Sequence, residues 1–192
     1  DKIVWLTGIT TRLKADAPME DIEVIEKSEA MRIYNDVNKK IKEVANNIEI
    51  EKNNFLKRSD KVIYTGRILH LDGDRRYGVK SSMYYRKMGL RAVVRNVPEF
   101  RQSDIVNPLI DRYNPDILIV TGHDGMLKKG KLYEDLYNYR NSRYFAQTVI
   151  NARKNEKGKK LVIFAGACQS YYEALIGAGA NFASSPARIL ID

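Results

Sequence analysis

The chain has 192 residues and 44% hydrophobic content, enough to fill the core of one ordinary domain and too much for a disordered one. Its 33 Lys+Arg against 24 Asp+Glu leave a formal charge of +9, which permits an acidic partner without demanding one. No apolar run approaches the ~18 residues needed to cross a bilayer, and the opening DKIVWLTGITTRLK lacks the apolar core of a secretory signal, so a cytoplasmic location is expected.

Residues 1–17 hold a short β-rich run, Ile3 to Leu6, and then a polar stretch leading to Pro18 with no partner strand nearby. They read as the tail of something upstream. From Ser28, the apolar residues Val37, Ile41, Val44 and Ile48 recur at helical steps and predict a long amphipathic packing helix. KVIYTGRILHL (61–71) has the β-branched and aromatic content of a buried strand, and the polar turn DGDRRYG follows it. A helical segment near 81–88 leads to a second strand, RAVVRNV (91–97), and 103–113 reads as a helix stopped by Pro115. DILIV (116–120) is a third strand that runs directly into TGHDG. A helix over 139–153 precedes KKLVIFAGAC (159–168), the fourth strand and its closing turn. A last helix over 170–176 leads to ANFASSP (180–186), a fifth strand. This alternation predicts an α/β fold, a mostly parallel sheet with helices on both faces.

In such sheets ligands sit beyond the carboxyl ends of the strands, the edge that the helices leave open. Three polar clusters fall there: Asp72 and Asp74, His123 and Asp124, and Cys168 with Gln169. Cys168 is the single cysteine, and with His70 and His123 the only histidines, thiol or imidazole chemistry is confined to these three residues. A thiol between a strand and a helix is well placed for activation, because helix N-terminal N–H groups stabilise a thiolate and donate to an oxyanion. A lone cysteine in AGAC is more often a small buried hydrophobe. Against that, GACQS turns polar at once, and another strand end carries a histidine flanked by glycines.

TGHDG alone is a weak motif, ordinarily a hydrogen-bonded loop histidine. Together, His123 and Cys168 form the acid/base and nucleophile of acyl transfer. His70, between Leu69 and Leu71, is expected to be structural. Asp72 and Asp74 read first as an ordinary Asp-Gly turn; on the same rim as the thiol, they would offer negative charge to a basic substrate side chain. The basic stretch 74–101 and the loop at Lys128 to Lys131 invite a nucleic-acid reading, but no helix-turn-helix, RNA-recognition or zinc pattern accompanies them. A solvated basic face is the preferred reading.

GRILHLDGDRRYG, DILIVTGHDG, FAGACQSYYEA, GANFASSPARILI and RLKADAPMEDIE resemble blocks of the YabG family of sporulation-specific proteases of spore-forming Firmicutes, across nearly the whole chain. Members of that family usually carry a small SH3-like barrel before this region and a further stretch after it. The resemblance therefore implies that residues 1–17 are the last strand and linker of a missing barrel, that 18–192 form a cysteine peptidase domain, and that the chain is trimmed at both ends. More distantly, the strand-His and strand-Ala-Cys arrangement is similar to the caspase, clostripain and gingipain group, which implies a caspase-like three-layer sandwich. Ala167 and Cys168 fit that group's second motif. His123 departs from the first, being followed by Asp124 before Gly125, so the oxyanion donor beside the histidine is either Asp124 or Gly125.

The implied activity is a thiol endopeptidase in which Cys168 attacks the scissile carbonyl, His123 protonates the leaving amine, and the Cys168 backbone N–H is a further oxyanion donor. Cleavage after Arg is implied, in spore coat and spore morphogenesis proteins, with self-processing at surface arginines such as Arg75 and Arg76. Gly166 lacks the side chain that many relatives place in the specificity pocket, so the acid is expected from Asp72 or Asp74, with Asp124 in reserve. By analogy, Ser184, Ser185 and Pro186 would line the cleft. Expected partners are proteins of the spore coat and of spore assembly, with neither membrane nor nucleic acid, and the mechanism needs no cofactor or metal.

Three other classes use residues of these kinds. A glutamine amidotransferase-like hydrolase normally places its histidine after the cysteine, and no histidine follows Cys168. A magnesium-dependent phosphohydrolase would use Asp72 and Asp74. A non-enzymatic basic binding domain would act on nucleic acid or an acidic coat protein.

Overall fold

The computed structural model describes residues 2–9, 14–58, 65–127 and 134–184. It divides into two compact units, Asp1–Tyr64 and Thr65–Asp192.

In the first unit, β1 (Ile3–Thr7) pairs antiparallel with β2 (Lys14–Pro18), Ile3 opposite Pro18 and Thr7 opposite Lys14. The run expected to stand without a partner therefore has one. KADAP holds no β-branched or aromatic residue, and only pairing with β1 makes it a strand. Helix α1 (Lys27–Arg58) follows, beginning one residue before the apolar periodicity predicts. Val37 and Ile41 are half-buried along it, and Val44 is exposed. No helix among the described residues is long and apolar enough to cross a membrane.

The second unit is a five-stranded parallel sheet flanked by helices. Its strands are β3 (Ile68–Asp72), β4 (Ala92–Asn96), β5 (Ile117–Thr121), β6 (Val162–Ala165) and β7 (Phe182–Ala183), in the spatial order β4-β3-β5-β6-β7. The connecting helices are α2 (Arg75–Lys87), α3 (Glu99–Tyr113), α4 (Ser142–Lys154) and α5 (Tyr172–Gly177). Parallel neighbours need such crossovers, which is why strand and helix alternate along the chain. All five expected strands are present, although β3 starts only at Ile68 and β7 has two residues.

Two helices of this unit begin earlier than expected, for reasons local to their first turns. The stretch taken as a polar turn already contains the start of α2, because the Asp74 carboxylate accepts the backbone N–H groups of Arg76 and Tyr77 and caps it. Helix α3 starts at Glu99, directly after Pro98, and ends where Asn114 adopts a left-handed conformation (φ 42°) ahead of Pro115.

Strand alternation sorts the side chains into two layers. Leu69, Leu71, Leu118, Val120, Ile163 and Ala165 are buried with Val106 and Ile110 of α3, Phe145 and Val149 of α4, and Leu175 of α5. Each of these apart from Ala165, taken fully out of water, contributes about 1.5–3 kcal/mol to the core. The opposite face of β3 meets α2: Gly78 leaves room beside Val94 and Asp72, and the Tyr85 hydroxyl lies 3.1 Å from His70 Nδ1. The result is the three-layer α/β arrangement that the sequence pattern predicts.

Candidate active site

Because β3, β5 and β6 run parallel, Asp72, Thr121 and Ala165 end at one edge of the sheet, and the loops beyond them meet there. Strands β5 and β6 are direct neighbours, with Val120 opposite Ala165. His123 stands two residues past the first, and Cys168, a free and half-buried cysteine, three residues past the second. The turn that carries Cys168 leaves β6 through Gly166 at φ 110°. A Cβ there would also meet Leu175 Cδ1 at 2.7 Å, so conformation and space both demand glycine. The loops touch as well: a Cβ on Gly125 would lie 3.1 Å from Gln169 Oε1. Helix α5 begins at Tyr172 rather than Ser170, so the sulfur stands farther from a helix end than expected.

His123 is held on three sides. Its Nε2 lies 2.6 Å from Asp74 Oδ2, its backbone N–H donates to Glu99 Oε1 at 2.8 Å, and its carbonyl accepts from Asn141 Nδ2 at 2.7 Å. The Tyr77 ring meets the imidazole edge-on, centroids 6.2 Å apart. His123 Nδ1 is buried and unpartnered. A carboxylate on one ring nitrogen fixes a proton there and leaves a lone pair on the other, the arrangement a general base needs. Burial pushes the Asp74 carboxyl up, but the bond to His123 and the N–H groups of Arg76 and Tyr77 outweigh it and hold the group below the ordinary carboxylate value.

The other aspartates expected at the rim are engaged in the fold. Asp72 is 0% exposed; it accepts the backbone N–H of Asp74 at 2.8 Å and the Thr121 hydroxyl at 3.1 Å, and His70 Nε2 is 3.5 Å away. His70 is 3% exposed, with Nε2 on Thr121 Oγ1 at 2.7 Å and Nδ1 facing Tyr85. The expected rim carboxylate Asp72 is thus a buried brace between β3 and β5. Neither a substrate guanidinium nor a metal-bound phosphate reaches it while those bonds hold.

Asp124 is a second brace. Its Oδ1 accepts the N–H groups of Gly125 (2.9 Å) and Asn141 (2.7 Å), and its Oδ2 accepts the hydroxyls of Ser142 and Ser170 (2.9 Å to Ser170). Burial pushes its pKa up, and these four donors pull it back only in part. Ser184 follows β7, its N–H on the carbonyl of Ala165 at the end of β6 (3.0 Å). Ser185, Pro186 and the Lys128 to Lys131 loop lie outside the described residues.

Glu99 is the residue that sequence reasoning missed. It is the first residue of α3, and its carboxylate fills the gap between the tips of β3 and β5: a Cβ on Gly73 or Gly122 would collide with its Oε1. Pro-Glu ahead of an apolar run is a legible helix start. That the side chain turns back toward His123 is set by packing.

The family described as YabG peptidase U57 matches residues 1–192. The sporulation-specific protease YabG of Bacillus subtilis (strain 168) is 48% identical over 127 residues, 66% of this chain, and the match spans 44% of that protein's length. No solved structure matches the chain. With that match extending over the whole length of the sequence, the chain belongs to the YabG peptidase U57 family.

Proposed function

We propose that this chain is the cysteine endopeptidase part of a sporulation protease, with Cys168 as nucleophile, His123 as acid/base and Asp74 orienting the imidazole. The observation that supports the reading best is the pairing of β5 with β6, which sets the strand tips that lead to His123 and Cys168 side by side, while Asp74 holds Nε2 of the ring and leaves Nδ1 for proton transfer. Cys168 gives its thiol proton to His123 Nδ1 and the sulfur attacks the scissile carbonyl; that ring nitrogen then hands the proton to the leaving amine as the C–N bond breaks. Water then attacks the thioester, passing its proton to the same nitrogen, and the acid leaves with the thiol restored. The Cys168 N–H is one oxyanion donor. For the other, the N–H of Gly125 is already spent on the Asp124 side chain, which favours the N–H of Asp124 itself.

Cleavage after Arg in spore coat and spore assembly proteins, with self-processing, completes the proposal and rests on the family resemblance. Asp72 and Asp124 are enclosed and Asp74 is shared with His123, so Asp74, with a side chain 20% exposed, is the acid of the three best able to meet a guanidinium at the rim. Reporter peptides ending in Arg, Lys, Asp or Leu, assayed with and without iodoacetamide, test class and preference together. Cys168→Ala and His123→Ala should each abolish proteolysis in protein whose circular dichroism is unchanged. A fully active Cys168→Ala protein overturns the reading.

A further inference from the structure

The Asp124 carboxylate binds more than its own loop. Ser170 donates its hydroxyl to Oδ2 and with the same oxygen accepts the N–H of Ala167, the residue before Cys168, at 2.9 Å. Ser142 donates to the same Oδ2 and accepts the N–H of Tyr171, three residues after Cys168, at 2.8 Å. Each serine thus passes the carboxylate's hold to one end of the cysteine turn. The neighbouring Asn141 gives its N–H to Oδ1 and its side-chain amide to the His123 carbonyl. One buried group therefore fastens the histidine loop, the start of α4 and both flanks of Cys168.

We propose that the Asp124 side chain is a positioning residue that sets the Cys168 turn against the His123 loop, acting through Ser142 and Ser170 and never touching substrate. The inference rests on the thiol peptidase reading. Its logic is geometric: a fixed sulfur-to-imidazole relation carries much of the rate in a two-residue site, and a displacement of about 1 Å costs about 100-fold. An asparagine at this position keeps an oxygen for Gly125 and Asn141 and turns an N–H2 toward the two serine oxygens, each of which has a lone pair to spare. An alanine has nothing to offer them.

The test compares Asp124→Ala, Asp124→Asn and Ser170→Ala with wild type, measuring kcat and KM on a short reporter peptide alongside thermal midpoints, with Cys168→Ala in parallel. Asp124→Ala should lose about 100-fold in kcat with KM changed less than about 3-fold, and Asp124→Asn should recover to within about 10-fold of wild type. Ser170→Ala keeps the carboxylate and tests the link even where Asp124→Ala fails to fold; it should lose about 10-fold in kcat. Combined with Asp124→Asn, its loss should be non-additive. Unchanged kcat in both Asp124→Asn and Ser170→Ala, with Cys168→Ala inactive, overturns the proposal. So does an equal loss in Asp124→Asn and Asp124→Ala that tracks a fall in thermal midpoint, because the group then only holds the fold together. An active Cys168→Ala enzyme instead refutes the thiol peptidase reading itself.

Discussion

His123 and Asp74 are 49 residues apart in the chain and 2.6 Å apart in space, joined Nε2 to Oδ2 across the tips of β5 and β3. The two oxygens of Asp74 have separate duties, since Oδ1 caps α2 while Oδ2 holds the imidazole. Asparagine caps a helix as well as aspartate does, but an amide cannot balance an imidazolium. Asp74→Asn should therefore lower kcat by about 100-fold or more, and above pH 3.8 it should lose the stability that the lowered carboxyl contributes while keeping the cap. Asp74→Ala should lose about 1 kcal/mol of stability as well, through the missing cap. Initial rates and thermal melts on the same preparations check both.

Asp74 and Asp124 give opposite pH signatures. Asp74 is held below its ordinary value of 3.8, so the stability it contributes is present above 3.8 and is lost as pH falls through the lower folded value. Asp124 is raised above 3.8, so the folded protein holds that proton more tightly than the unfolded chain; its contribution is full below 3.8 and is lost as pH rises through the folded value. Relative to wild type, Asp124→Asn should gain stability as pH rises from 3.8, and Asp74→Asn should gain as pH falls below it. Urea unfolding at stepped pH would show the two difference curves sloping in opposite senses.

The glycines at the strand tips separate activity from stability. A methyl at Gly73 or Gly122 must push aside the Glu99 carboxylate, the end of a flexible side chain, and so deprive the His123 N–H of its acceptor. Gly73→Ala and Gly122→Ala should cost about 1 kcal/mol in stability while turnover falls several-fold more than that loss explains. Glu99→Gln, which keeps an acceptor oxygen, should remain close to wild type. Gly166→Ala meets buried Leu175 at a positive φ and should cost about 1–3 kcal/mol, read as a drop in urea midpoint.

Asp72 tests the revised reading of the rim. Asp72→Asn disturbs a buried network of Thr121, His70 and the Asp74 N–H, so a stability loss of about 1–3 kcal/mol is expected. The ratio of kcat/KM on Arg and Lys reporters should stay at the wild-type value. A selective loss on Arg substrates would return Asp72 to the role of substrate acid.

The layered fold was legible because β-branched runs and helical periods recur between turns, and strand tips in a parallel sheet mark where ligands bind. KADAP hid a strand because its pairing is written in β1, and RRYG hid a helix start because Asp74 reads equally as a turn residue. Scarcity narrowed thiol and imidazole chemistry to three residues, and position past a strand end set His123 and Cys168 apart from mid-strand His70. The carboxylates could not be told apart: DGD and HDG look alike in sequence, and only three-dimensional enclosure makes Asp72 a brace, Asp74 an imidazole partner and Asp124 a hub. Glu99 could be read only as a helix start, because its reach to the His123 N–H runs through space left by two distant glycines.

The order in which β3, β5 and β6 leave the ribosome bears on the proposed reading. The carboxylate emerges first, then the imidazole, and the sulfur last, on the turn that follows β6, the strand paired with β5. On that reading a chain that stops short of β6 lacks its nucleophile, and the two halves of the site meet only once β6 has paired with β5.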